Sequence, residues 1–322
     1  MCTALTYKYF FGRTLDVEQS YDEKIVITPR HYTFSFKEER SIHTHYAMIG
    51  VAKVINGYPL YFDATNEKGL SMAGLNFPEN AYYFLKQENK DNITPFEFIP
   101  WILSQCASVK EAKILLNRIN IVHIPFCHEL PLAPLHWMIA DQEESITVES
   151  MKNGLKVYEN TVGVLTNNPP FDIQLFNLNN YMHLSRNHPK NTFCPSLDLK
   201  TYSCGMGAMG LPGDLSSLSR FIRATYTKMN SVCEDNEKDI INQFFHILGT
   251  VQQTKGCVIS TAHHYEMTTY TSCCDMKKGI YYYTTYHNLQ ICGVDMFKED
   301  IDGKNLVIFP FQQNDNIFIQ NH

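Results

Sequence analysis

Residues 1–16 read MCTALTYKYFFGRTLD, and the interpretation of the whole chain starts from them. The apolar and β-branched residues from Thr3 to Phe10 predict a strand that enters the core immediately. A chain end tied into a sheet is unusual, because the first residues of most domains are poorly ordered. Cys2, directly in front of that strand, is therefore the first candidate for a functional residue, although position alone also allows a small residue at a frayed end.

Short apolar or alternating runs predict many further strands downstream. Turn signals such as Asn56-Gly57 and Lys68-Gly69 separate the early ones. The predicted strands cover residues 24–28, 46–52, 59–62, 70–75, 136–140, 145–149, 155–158, 265–273, 279–286, 289–295 and 306–311.

Helices are predicted in two groups between the strands. Thr94 followed by Glu97, and Ser108 followed by Glu111, have the spacing of a capping box, and Pro100 is expected to shorten or kink the first helix. The second group is predicted over residues 216–228 and 239–251. Between the groups, residues 161–214 are rich in Asn, Pro and Gly and predict loops around short helical pieces.

The order strands, helices, strands, helices, strands predicts an α+β fold. Strands grouped in meanders, not alternating with helices, favour antiparallel sheets. No linker, repeat or low-complexity tract interrupts the chain, so one domain over residues 1–322 is expected.

Composition excludes several classes of protein. The 322 residues are 44% hydrophobic and 19% charged with a formal net charge of −6, typical of a globular protein and unlike a nucleic-acid binder with a basic stripe. The N-terminus lacks a secretory signal pattern and no apolar run spans a bilayer, so a cytoplasmic, non-membrane protein is expected. The ten scattered cysteines then predict reduced thiols, with Cys273 and Cys274 on opposite faces of one strand.

Two patterns that suggest ligands have simpler explanations. Residues 205–210 match G-x-G-x-x-G, but Pro212 and Gly213 prevent the helix that a dinucleotide site needs. The histidine pairs His43/His45 and His263/His264 have no metal-ligand spacing. Neither a metal nor a cofactor is expected.

Removal of Met1 would leave Cys2 with a free α-amino group. An α-amine has a reference pKa of roughly 7.7–8.0 and can accept a proton near neutral pH. A thiol is a strong nucleophile once it is deprotonated. One residue would then supply both the nucleophile and the general base of an amide hydrolase.

Six motifs follow one another along the chain in the order of a known family. They are MCTALTY, FGRTLD, NEKGLSMAGLNF, VGVLTNNPPFD, GLPGDLSSLSRF and YTSCCDMKKGIYYYTTY. The sequence resembles the choloylglycine hydrolases, which comprise bile salt hydrolases and penicillin V acylases. The resemblance implies a four-layer αββα sandwich with two antiparallel sheets, of the N-terminal-nucleophile type.

The resemblance also implies six catalytic positions. These are Cys2 as nucleophile, Arg13 beside its sulfur, Asp16 orienting the α-amine, Asn76 and Asn167 forming the oxyanion hole, and Arg220 in the charge network. Two departures accompany the match: Thr14 stands where relatives have Asn, and the first hairpin is about three residues shorter than usual, which affects the shape of the first loop.

Without the resemblance, each of these residues has an ordinary explanation. Arg13 and Asp16 would form a surface ion pair, and Asn76 and Asn167 would be turn residues. Arg220 would join Arg223 on a solvated helix face.

Asn76 favours the bile salt branch, because penicillin V acylases typically carry Tyr there. The implied substrates are glycine- and taurine-conjugated bile salts, bound in an apolar cleft. The expected substrate contacts are Cys2, Arg13, Leu15, Tyr61, Phe62, Asn76, Phe126, Leu130 and Leu132, although the apolar ones are equally compatible with core positions.

Three functions stay open on these grounds. They are bile salt hydrolysis, hydrolysis of penicillin V or another linear N-acyl amide, and non-catalytic binding of bile acids or lipids. The resemblance further implies a homotetramer, with residues 177–203 as an assembly loop.

Overall fold

The N-terminus forms a β-hairpin. In the computed structural model, which describes residues 1–260, 263–313, 317 and 319–321, strand β1 (Cys2–Tyr7) turns at Lys8 and Tyr9 into β2 (Phe10–Val17). Lys8 has a φ of +52°, which lets the chain reverse within two residues. The strand predicted to reach Phe10 therefore ends at Tyr7, and Cys2 lies opposite Leu15 across the hairpin.

Fourteen further strands lie among the described residues, and all except those at residues 91–93, 119–121 and 164–165 overlap a predicted run. They are β3 (Lys24–Thr28), β4 (Met48–Ile55), β5 (Tyr58–Asn66), β6 (Ser71–Asn76), β7 (Asp91–Ile93), β8 (Ile119–Ile121), β9 (Leu135–Ala140), β10 (Ser145–Met151), β11 (Gly154–Glu159), β12 (Val164–Leu165), β13 (Met267–Asp275), β14 (Ile280–Thr285), β15 (Asn288–Asp295) and β16 (Val307–Phe309).

The large sheets are antiparallel, as the meander pattern predicts. One has the order β12-β1-β2-β13-β14-β15, and the other has the order β11-β10-β9-β6-β5-β4-β3-β16. Strands β7 and β8 form a separate parallel pair. The strand that carries Cys2 is internal to its sheet, with β12 on one side and β2 on the other.

Five α-helices lie among the described residues. They are α1 (Phe98–Gln105), α2 (Val109–Leu116), α3 (Phe171–Asn177), α4 (Ser217–Asn230) and α5 (Glu237–Gly249). Ser108 caps α2 as predicted by accepting from the N–H of Glu111. The first helix begins later than predicted: the Glu97 carboxylate does accept from the Thr94 N–H, but the intervening residues form a turn. Pro100 then falls in the first helical turn, where its missing N–H costs no hydrogen bond.

The layers are helices, sheet, sheet, helices. One apolar core lies between the sheets and continues beneath α4 and α5, and a second lies between the eight-stranded sheet and helices α1 and α2. Cys273 and Cys274 are both buried on β13, as expected for a strand that is covered on both faces. The α+β sandwich prediction is thereby confirmed.

Residues 205–210 form a loop around a 3-10 turn, Met206–Ala208, as the following Pro212 and Gly213 predict. Within the described residues, no helix combines the length and the apolar character that a bilayer crossing requires.

Lys228, near the end of α4, joins this helix to the first sheet. Its ammonium group donates to the Val162 carbonyl at 2.6 Å, the Thr6 hydroxyl at 3.1 Å and the Gly163 carbonyl at 3.2 Å. Burial of the charge lowers the pKa of Lys228 to about 8 from its ordinary value of 10.5.

This lowered pKa predicts a pH-dependent contribution to stability. Between about pH 8 and pH 10 the unfolded chain binds more protons at Lys228 than the folded chain, so the folded state gains stability as the pH rises. Lys228→Met removes this gain. The difference in unfolding free energy between wild type and Lys228→Met, measured in urea, should grow across this range. A difference that does not change with pH, or that changes equally in the exposed control Lys110→Met, would contradict the assignment.

Candidate active site

Cys2 is buried at the start of β1, with 3% of its surface exposed. Its backbone N–H donates to the Asn167 side-chain oxygen at 2.9 Å. Met1 continues the β1–β2 ladder: its carbonyl accepts from the Asp16 N–H, and its ammonium group contacts the Asp16 carbonyl at 2.5 Å and Glu266 at 3.2 Å. The α-nitrogen of Cys2 is a peptide nitrogen while Met1 is attached, so it becomes basic only after Met1 is removed.

Arg220 reaches Cys2 from α4 and is completely buried. One guanidinium nitrogen donates to the Cys2 carbonyl at 2.6 Å and to the Thr3 hydroxyl at 2.7 Å. Another donates to the Asn167 side-chain oxygen at 2.6 Å. Burial lowers the pKa of Arg220 from its ordinary value, and the negative charge of Asp16 acts in the opposite direction. The solvated helix face is therefore wrong for Arg220.

Arg223 is only partly buried on the same helix. It donates to the carbonyls of Thr250 and Pro212 and does not reach Cys2 through any hydrogen bond between described residues. Its contacts fix the ends of neighbouring segments.

Arg13 lies between the two sheets with no exposed surface. Its guanidinium donates to the Gly74 carbonyl at 2.6 Å and to the Phe62 carbonyl at 3.0 Å. Its Nη2 has no hydrogen-bond partner among the described residues. Burial by itself would lower the pKa of Arg13, but the negative charges around it, that of Cys2 foremost, raise it overall. Arg13 is therefore a buried cation whose charge interacts with that of Cys2.

Asp16 is also completely buried. Its carboxylate accepts from the Thr268 hydroxyl at 2.7 Å and the Thr14 hydroxyl at 3.2 Å, and it lies 3.9 Å from Arg220. A surface ion pair between Arg13 and Asp16 is therefore wrong, because neither residue reaches the surface. With Met1 in place, the carbonyl of Asp16, and not its carboxylate, holds the terminal ammonium.

The two asparagines lie together beside Cys2. The Asn167 side-chain N–H donates to the Asn76 carbonyl at 2.7 Å, which joins the end of β6 to the loop after β12. The backbone of Asn167 is held by Ser217 and Gln174. Asn76 is exposed at the strand end, and Asn167 is buried. The Asn167 side chain thus connects the backbone of Cys2 with the end of β6.

A cluster of one buried aspartate and two tyrosines interacts with the charge of Arg13. Asp63 accepts from the hydroxyls of Tyr281 at 2.5 Å and Tyr270 at 2.6 Å. Burial raises the pKa of Asp63, whereas the charge of Arg13 lowers it. No local sequence pattern marks this cluster, since Asp63 and its tyrosines are more than 200 residues apart.

The predicted apolar contacts separate into two groups. Leu15 is buried opposite Cys2, and Phe62 stacks on Tyr21 with ring centroids 5.8 Å apart. Tyr21 was also missed; burial raises its pKa, and the nearby charge of Cys2 adds to this. Leu15 thus pairs with Cys2 across the hairpin, and the stacked rings of Phe62 and Tyr21 form a second apolar feature of the site.

The remaining predicted apolar contacts have no hydrogen bond or ring contact that joins them to Cys2 within the described part of the chain. Tyr61 is core, with its hydroxyl 2.7 Å from that of Thr28. Phe126 packs on Tyr58 and Phe96. Leu132 packs against the second core, and Leu130 is half-buried in the same loop.

The comparisons with known proteins agree with this geometry. A family model described as linear amide C–N hydrolases, choloylglycine hydrolase family, matches residues 2–309. The chain belongs to the choloylglycine hydrolase family. This membership makes it a hydrolase and confirms the family inferred from the six motifs.

Individual choloylglycine hydrolases match over the full length. A bile salt hydrolase/transferase of Lactiplantibacillus plantarum is 52% identical, with 100% of both chains covered. A bile salt hydrolase/transferase of Clostridium perfringens is 38% identical over 97% of this chain and 98% of its own.

Solved structures show the same architecture. The C2A mutant of the conjugated bile acid hydrolase from Clostridium perfringens superposes with a TM-score of 0.92 at 38% identity, and 100% of each chain is covered. A penicillin V acylase from Agrobacterium tumefaciens, at 20% identity and a TM-score of 0.75 over 95% of this chain and 90% of its own, shares the fold alone.

The buried contacts of Arg220 predict a large effect on stability. Arg220→Met removes the guanidinium hydrogen bonds to Cys2, Thr3 and Asn167, so the unfolding free energy should fall by about 3 kcal/mol or more. Arg223→Met, the control on the same helix, should cost clearly less because its partners are nearer to solvent. Urea denaturation followed by circular dichroism measures both, and equal losses would contradict the central position of Arg220.

Proposed function

We propose that the chain hydrolyses the amide bond of glycine- and taurine-conjugated bile salts through a thioester on Cys2. The observation that carries this proposal is the contact of the Cys2 nitrogen with Asn167, which is itself bonded to Arg220 and to Asn76. Both sequence relatives named above are bile salt hydrolase/transferases, and the solved structure with a TM-score of 0.92 is a conjugated bile acid hydrolase. The Asn at position 76 further supports this branch of the family.

The proposed reaction has two halves. The Cys2 sulfur attacks the amide carbon, and the amide groups of Asn76 and Asn167 stabilise the oxyanion. The carbon–nitrogen bond breaks as the α-ammonium protonates the leaving amine of glycine or taurine. A water molecule then gives its proton to the α-amine and attacks the thioester, which releases the free bile acid and the thiol.

The buried charges support these steps. Arg13 is a buried cation, and its proposed role is to stabilise the negative charge of the attacking sulfur. Asp16 lies near Arg220 and compensates its charge beneath the reacting residue. Once Met1 is removed, the proposed role of Asp16 is to orient the new α-amine.

The substrate region proposed here is narrower than the sequence suggests. Leu15, Phe62 and Tyr21 supply the apolar wall nearest Cys2, whereas Tyr61 is assigned to core packing. A steroid acid needs such a wall, with few polar anchors, to bury its ring system. We also propose that no metal or cofactor takes part, since cysteine and its own amine suffice for the chemistry.

We further propose that the chain acts in the cytoplasm as one domain and assembles as a homotetramer. Residues 177–203 and the segment around them expose Phe176, Met182, Phe193 and Tyr202, each at least 73% accessible. Apolar side chains this exposed favour burial against another subunit.

The thiol role predicts that Cys2→Ser abolishes turnover while the fold is kept. A hydroxyl ionises far less readily than a thiol, so the rate of glycocholate and taurocholate hydrolysis should fall by about a thousandfold or more. Released glycine or taurine measures the rate, and Cys274→Ser is the control for loss of a buried thiol. Near-wild-type turnover by Cys2→Ser would refute the mechanism.

The two other candidate functions are separated by the same assays. Faster hydrolysis of penicillin V than of glycocholate would favour the acylase alternative. An intact mass that retains Met1, combined with bile acid binding and no turnover, would favour a carrier.

The assembly surface predicts that Phe193→Ser combined with Tyr202→Ser weakens the tetramer. Removing two exposed rings lowers the apolar area available to a neighbouring subunit. Light scattering at several protein concentrations should show a smaller species for the double variant. The control Leu289→Ser, at an exposed position of β15, should leave the mass unchanged. A tetramer of unchanged stability in the double variant would exclude this surface.

A further inference from the structure

A histidine and a glutamate form a buried pair behind the two active-site asparagines. His136 on β9 and Glu149 on β10 both have no exposed surface. The Nδ1 of His136 lies 3.0 Å from Glu149 Oε1, and its Nε2 lies 2.9 Å from the Thr166 carbonyl. Glu149 Oε1 also accepts from the Phe171 N–H at 3.1 Å.

The partners of this pair determine the direction of its hydrogen bonds. A carbonyl oxygen only accepts, so the Nε2 of His136 must carry a hydrogen toward Thr166. The other ring nitrogen then either donates to the ionised Glu149 or accepts from the protonated one. In both cases one hydrogen bond joins the ring to the carboxyl group, and together with the bond to Thr166 it fixes the orientation of the ring.

The pair lies between the elements that carry Asn76 and Asn167. The imidazole stacks on Phe77, the residue after Asn76, with centroids 4.2 Å apart and planes inclined by 5°. The carbonyl that accepts from its Nε2 belongs to Thr166, the residue before Asn167. One ring thus contacts both chain segments whose asparagines meet through the Asn167–Asn76 hydrogen bond.

We propose that His136 is a positioning residue that holds Asn76 and Asn167 at the spacing needed to stabilise the oxyanion, with Glu149 orienting its ring. This inference rests on the proposed function, because it assigns His136 to the oxyanion step of that reaction. His136 touches neither the substrate nor the sulfur. Its loss should reduce the rate of the chemical step and leave substrate binding and thiol reactivity unchanged.

Two substitutions separate the two contacts of the ring. His136→Gln places an amide nitrogen near the position of Nε2 and can keep the bond to Thr166, but it leaves the buried Glu149 without its partner. His136→Asn places an amide near the position of Nδ1 and can keep the bond to Glu149, but it leaves the Thr166 carbonyl without a donor.

The expected result is a larger loss of kcat in His136→Asn than in His136→Gln. The kcat of His136→Asn for glycocholate should fall about a hundredfold, the range found when an oxyanion donor is lost, and that of His136→Gln about tenfold or less. KM should change by less than about threefold in both, because ground-state binding is not involved. The rate of Cys2 alkylation by iodoacetamide should match wild type in both.

A purely structural role predicts the opposite ranking. His136→Gln leaves a buried carboxylate without its partner, so it should be the less stable of the two variants. If kcat follows stability, or if the alkylation rate falls together with kcat, the positioning role is overturned. Equal kcat values in the two variants overturn it as well.

Glu149→Gln provides a second test if either histidine variant fails to fold. In this variant the atom at the position of Oε1 would have to hydrogen-bond to both the Phe171 N–H and His136 Nδ1. An amide places either an oxygen, which only accepts, or an NH₂ group, which donates, at that position. With its ring misoriented, this variant should lose kcat about tenfold at unchanged KM. An unchanged kcat contradicts the proposal. Absence of turnover in the wild type, by contrast, would refute the proposed function itself.

Discussion

Burial of the Arg220 guanidinium beside Cys2 is the interaction around which the site is organised. A cation that is buried away from water is tolerated only where its N–H groups are hydrogen-bonded and a negative charge lies nearby. Here the donors go to the Cys2 carbonyl, the Thr3 hydroxyl and the Asn167 side chain, and Asp16 lies 3.9 Å away. Because these acceptors belong to β1 and to the loop after β12, a single side chain from α4 holds the strand of Cys2 and the loop of Asn167 together.

The space between the sheets contains a second charge system. Arg13 reaches the Gly74 and Phe62 carbonyls of the facing sheet, and Asp63 collects two tyrosine hydroxyls nearby. Most of this interface is apolar, so each charge there needs a specific partner. The same requirement aligns the two sheets, since the Arg13 hydrogen bonds form only in one relative placement. The strand that carries Cys2 thus lies in a sheet whose position is fixed by these contacts.

Local patterns in the chain predicted the elements well and their ends less well. The capping box at Ser108 formed as expected, whereas Thr94 and Glu97 made their contact in a turn before the helix. Alternation also marked Tyr61 and Phe62 without showing their faces: Phe62 stacks on Tyr21 and Tyr61 enters the second core. Strand periodicity predicts that neighbouring side chains point to opposite faces of the sheet. Only the packing around each face shows which of the two lies toward the site.

The amino-acid sequence alone was enough to identify the α+β class, the family and the six candidate catalytic residues. Sequence motifs and the alternation of apolar with polar residues are local, so they can be read from a single sequence. The partners of those residues required the folded chain. Asp63 with Tyr270, and His136 with Glu149 and Thr166, are brought together by strand pairing across the sheets. Such contacts have no periodic signature, since their distance in space is set by registers formed only when the whole sandwich assembles.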